Sequence, residues 1–112
     1  GVIAVNSNAS RFDGHESLDE MARYARDKKY NFPYVQDPGS KLAKAFGAIK
    51  TPHIYLFDNK GMLVYRGAID DNARDAGSVD EPFLANAIEQ LINDQPIEKS
   101  TSKAIGCSIK FP

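Results

Sequence analysis

The chain has 112 residues and a formal net charge of -1, enough for one small domain and not two. Acidic and basic residues nearly cancel, so no concentrated basic face points to nucleic acid, and no apolar run approaches the roughly 18 residues of a membrane span. The single cysteine, Cys107, excludes an internal disulfide framework; with His15 and His53 far from it in sequence, no metal-ligand cluster is legible and no cofactor is called for.

Val2-Ile3-Ala4-Val5 is a short β-branched run closed by Asn6-Ser7-Asn8. It reads as a strand buried on both faces, as in parallel α/β sheets. The chain opens on this run without Met or a signal peptide, which reads as a processed or truncated chain. Residues 9–16 form a polar loop. Ser17-Leu18-Asp19-Glu20 has the spacing of a capping box, and Leu18, Met21, Ala22 and Ala25 repeat at helical spacing up to Tyr30-Asn31, before Pro33.

Tyr34-Val35-Gln36-Asp37 is a short extended piece, and Pro38-Gly39 turns the chain. Ser40 is placed to cap a small helix with Leu42, Ala43 and Phe46, closed by Gly47. His53 to Asp58 and Met62 to Ile69 read as a hairpin around Asn59-Lys60-Gly61. Asp70 to Ser78 is a polar loop. Its acids, Asp70, Asp71 and Asp75, lack the spacing of a calcium loop. Asp80 is expected to cap a last helix with Pro82 in its first turn. Phe83, Leu84, Ala87, Ile88, Leu91 and Ile92 make one apolar stripe, expected to cover a sheet face. The reading is one domain over 1–96 and a tail over 97–112, polar at first and then apolar enough from Ala104 to dock. Alternating strands and helices predict an α/β architecture.

The Thr51-Pro52 step at the mouth of the hairpin stands out. Proline donates no backbone hydrogen bond and fits only the start, edge or bulge of a strand. By pattern alone it is a trans-proline at a strand start, since cis bonds are about 5–6% of X-Pro bonds in folded proteins.

Several pieces together carry a family likeness: Ile3-Ala4-Val5-Asn6-Ser7-Asn8, Phe32-Pro33-Tyr34-Val35-Gln36-Asp37, Ala43 to Ala48 followed by Thr51-Pro52, Leu56-Phe57-Asp58, Leu63 to Gly67, Ile69-Asp70-Asp71 and Ile105 to Lys110. In this order the chain resembles the C-terminal part of a thioredoxin-like redoxin of the AhpC/TSA type, the kind described as a thiol-disulfide isomerase. The resemblance implies an incomplete thioredoxin-like fold: a mixed sheet with a C-terminal β-hairpin and flanking helices. It implies that a first strand and a cysteine-bearing helix precede this stretch, where helix amides would stabilise a thiolate. That strand would lie between the Val2–Val5 strand and the His53–Asp58 strand. The stretch would then fold by closing the gap directly, by exchanging strands between copies, or by keeping an N-terminal piece bound.

For the site, the resemblance implies a cis-proline loop, with Thr51 and Pro52 binding substrate through backbone groups. No catalytic residue is expected in this chain; Cys107 is either an accessory thiol or an ordinary packing residue. The parent would be a thiol-disulfide oxidoreductase or thiol peroxidase acting on a protein disulfide, thiol or peroxide, with this chain inactive alone. The alternative is a thioredoxin-like module that binds or scaffolds without redox chemistry. No nucleic-acid or membrane partner is expected, whereas open strand edges suit a homo-oligomer. The compartment is left open, with the cytoplasm slightly favoured.

Overall fold

The computed structural model describes residues 1–72 and 74–112; Ala73, within the expected polar loop, lies outside the described residues. The chain divides into two compact units, Gly1–Ile49 with Ile109–Pro112, and Lys50–Ser108.

In the first unit, strand β1 (Ala4–Asn6) runs parallel to β2 (Tyr34–Gln36), with Ala4 opposite Tyr34 and Asn6 opposite Gln36. Parallel strands need a crossover, and helix α1 (Leu18–Asp27) supplies it. Ser17 caps that helix, its hydroxyl accepting the Glu20 amide at 3.3 Å, and Met21 turns into the interior. Tyr30 stacks on Phe32 with centroids 4.6 Å apart and meets Tyr24 and Tyr34 edge-on. Asn6 is buried and bonded at both ends of its side-chain amide. Its amide NH2 donates to Glu16, and its carbonyl accepts the Asn8 amide.

Two expectations here are corrected. The Val2–Val5 run is not buried on both faces, for Ile3 is 68% and Val5 38% exposed. Among the described residues β1 has one strand neighbour, β2. Ser40 does not cap helix α2 (Lys41–Phe46) with its side chain. Its hydroxyl donates to the Ser7 carbonyl, while the buried Asp37 carboxylate accepts the Leu42 and Ala43 amides at 2.9 and 3.0 Å and the Ser7 hydroxyl at 2.8 Å. A carboxylate accepts two amides at once where a hydroxyl satisfies one, and its charge suits the helix N-terminus.

The second unit holds a hairpin of β4 (Ile54–Phe57) and β5 (Leu63–Gly67), as expected from the turn residues. The Asp58 carboxylate organises the turn by accepting the Lys60 and Met62 amides, both at 2.9 Å. Tyr55 lies opposite Arg66 and Tyr65 opposite Leu56. Tyr55 and Tyr65 therefore occupy opposite faces of the hairpin. Helix α3 (Phe83–Ile92) follows. Asp80 does not cap it; Pro82 takes the N-cap position, and the Asp80 amide donates to Asp71 instead. The stripe is covered only in part, since Ala87 is fully buried whereas Ile92 is 74% exposed.

Beyond α3 the chain returns to the hairpin. Ser100 and Ser102 pair with Arg66, whose amide donates to the Ser100 carbonyl at 3.0 Å and whose carbonyl accepts the Ser102 amide at 3.1 Å. The Ser102 hydroxyl accepts the Ala68 amide at 3.0 Å and lies 2.7 Å from the Tyr65 hydroxyl. Gly67 makes this approach feasible. At φ +140 it has no Cβ, and one there would run into the Ser102 backbone. Residues β6 (Cys107–Ser108) then pair antiparallel with β3 (Lys50–Thr51).

The fold is α/β, a partial thioredoxin-like fold; among the described residues its ladders form three two-stranded sheets, β1–β2, β3–β6 and β4–β5. Among the described residues no helix is long and apolar enough to cross a membrane.

Candidate functional site

Thr51 and Pro52 link β3 to β4, and both are exposed. The peptide bond between them is cis. Proline's missing amide is harmless here because it falls between the two strands and not inside either ladder. His53 follows, half-buried and stacked on Tyr55 at 5.0 Å. Burial, and then the Arg66 charge, hold its pKa below the ordinary histidine value.

Cys107 is exposed and sits in register directly opposite Thr51, with Ser108 opposite Lys50. Lys50 Nζ lies 3.5 Å from Ser108 Oγ. Gly106, at φ +151, presses on the Thr51 carbonyl so closely that a Cβ would collide with it. The structure thus brings together Thr51, Pro52 and Cys107, which stand far apart in sequence. Sequence reasoning named all three and missed their meeting. The only available signal was the tail's apolar character, which predicts docking without saying where.

The remaining candidates are not drawn in. His15 is exposed in the loop before α1. Asp70, Asp71 and Asp75 spend their carboxylates on local turns, accepting the amides of Asn72, Asp80 and Gly77. The Ser78 hydroxyl, then the Gly77 amide, lower the Asp75 pKa. Among the described residues no group of three or more His, Cys, Asp or Glu side chains could hold a metal. Surface clefts elsewhere include one lined by His15, Glu16, Met21, Tyr24 and Tyr34 and another lined by Phe83, Asn86, Ala87 and Gln90. Thr51 and Pro52 thus sit where strand β3 ends and the chain turns into β4.

The AhpC/TSA family profile matches residues 2–66, more than half of the chain. The chain belongs to the AhpC/TSA family. Two solved structures are similar to the chain. A hypothetical protein from Sinorhizobium meliloti is 32% identical, with a TM-score of 0.87, over 100% of this chain and 62% of its own. An uncharacterised conserved protein from Geobacillus kaustophilus is 33% identical, with a TM-score of 0.86, over 98% of this chain and 59% of its own. The chain thus spans about three fifths of the length of these relatives. No curated protein matches it. The matched stretch includes β1, β2, Thr51-Pro52 and most of the hairpin, whereas Cys107 lies beyond it.

Proposed function

We propose that this AhpC/TSA chain is the partner-binding part of a thiol-disulfide oxidoreductase or thiol peroxidase. In this reading Thr51 and Pro52 hold an extended, cysteine-bearing or disulfide-bearing segment by backbone pairing, and a cysteine outside residues 1–112 performs the chemistry. The observation that supports it most is the pairing at Thr51. A two-residue strand, half-buried at Lys50 and exposed at Thr51, already takes an extended segment antiparallel, with a cysteine in register. Main-chain bonds supply affinity in such strand addition, while side-chain positions supply selectivity.

The single cysteine of the chain supports the companion statement that residues 1–112 alone do not turn over. The test compares the full-length protein with the 112-residue chain, by insulin reduction with dithiothreitol and by peroxide consumption. The expected result is turnover by the full-length protein only, slowed by Pro52→Ala. A full-length protein inert in both assays refutes the enzyme and leaves the non-catalytic binding module. Homo-oligomers through the open β1 edge belong to the same proposal, and sedimentation at increasing concentration reads them directly.

A further inference from the structure

We infer that residues 106–108 are a self-occluding strap. The chain's own tail fills the edge that Lys50 and Thr51 offer, and it has to leave before an extended partner segment adds there. This rests on the reading of Thr51 as a partner-binding strand, and it concerns how that strand is regulated.

Three observations carry it. First, the strap takes the place a partner would take, pairing antiparallel with Lys50 and Thr51 in register. Gly106 fits against the Thr51 carbonyl only because it lacks a Cβ and adopts φ +151. Second, the strap itself is weakly held. It is a two-residue ladder, and Gly106, Cys107 and Ser108 are all exposed. Segments with few buried contacts open at a fraction of the global unfolding free energy. Third, its flanks are firmly held. Ser102 is tied to Arg66, Ala68 and Tyr65. Ile109 is buried, and its amide donates to the Ile49 carbonyl at 3.0 Å. A weak strand between two fixed points acts as a tethered competitor with an effective concentration in the mM range. It shuts out weak partners while remaining displaceable by good ones.

The test has two arms on the full-length protein. In native-state hydrogen exchange of the wild type, the amides of 106–108 are expected to exchange through local opening, well before those of Ser102 and Ile109. Equal protection across all of them overturns the strap and leaves the Thr51 reading intact. The second arm measures anisotropy of a labelled peptide of residues 103–108 carrying Cys107→Ser. Gly106→Ala pushes the strap off Thr51 without altering Thr51 or Pro52, and is expected to bind the peptide at least tenfold more tightly than the wild type. Gly14→Ala, where a Cβ meets nothing within 4 Å, is expected to match the wild type. A strap that opens in Gly106→Ala without any gain in peptide binding overturns both the strap and the partner-binding reading of Thr51.

Discussion

The two parallel strands of the first unit and the hairpin of the second handle their edges in opposite ways. Strand β1 leaves Ile3 and Val5 facing solvent and has β2 as its one strand neighbour. Strand β5 has its outer edge taken by Ser100 and Ser102, and its Tyr65 is 1% exposed. Both segments are rich in strand-forming residues, so propensity does not separate them. The difference is the neighbour: a strand buries its side chains and satisfies its edge only where another segment is supplied. The tail supplies one to the hairpin. Nothing among the described residues supplies one to the open side of β1.

This contrast can be broken by substitution. The largest expected effect is at Tyr65, where Tyr65→Ala empties a buried aromatic site and should destabilise the protein by about 3–5 kcal/mol in urea unfolding. Tyr65→Phe keeps the ring but drops the hydroxyl that bonds the Ala68 carbonyl and Ser102, for about 1–2 kcal/mol. Next comes Gly67→Ala, whose Cβ meets the Ser102 backbone at a positive φ; about 2–4 kcal/mol is expected, with faster exchange of the Ser102 amide as the specific signature. Ile3→Thr, on the open side of β1, should shift stability by less than about 0.5 kcal/mol. A loss above about 1 kcal/mol would mean that this side is covered in solution, and sedimentation of wild type and variant would then show whether a second copy covers it.

The smallest expected effects are in pH. Burial and Arg66 lower the His53 pKa, so the unfolded chain binds more protons than the folded one just below about pH 6.5. Stability should therefore be complete above that pH and fall as acid is added, and His53→Gln should flatten the profile between pH 7 and 5.5. Asp37 acts in a lower window. Burial raises its pKa, but the amides of Leu42 and Ala43, the Ser7 hydroxyl and the Lys41 amide outweigh it, and the net shift is downward. Its contribution is thus present above the ordinary carboxylate value and lost as pH falls through the folded one. Asp37→Asn should remove that acid-dependent component from the urea midpoint.

The α/β class, the capping of α1 by Ser17, the hairpin and the docking of the tail were all legible, because each rests on local pattern. The helix caps at Asp37 and Pro82 were not. Several polar residues crowd each helix start, and only the three-dimensional path decides whether a carboxylate meets the amides, as Asp37 does at α2, or none does, as at α3. The exposure of Val5 escaped for a related reason: an apolar β-branched run indicates what a strand is suited to, not whether a neighbour is present. At the site, Thr51, Pro52 and Cys107 were each visible, yet their pairing depends on a return across the chain that no short-range signal encodes.

That return also bears on how the protein is made. The Lys110 amide closes on the Asn8 side chain across 102 residues, and the segment 100–110 follows every strand it pairs with. Contacts so distant in sequence form late and slow the search. On a ribosome, β3 and β5 are therefore complete well before their covering segment emerges, and their bare edges are open to mispairing during that interval. Until that segment is made, these edges are the surface a holding chaperone has the most reason to protect.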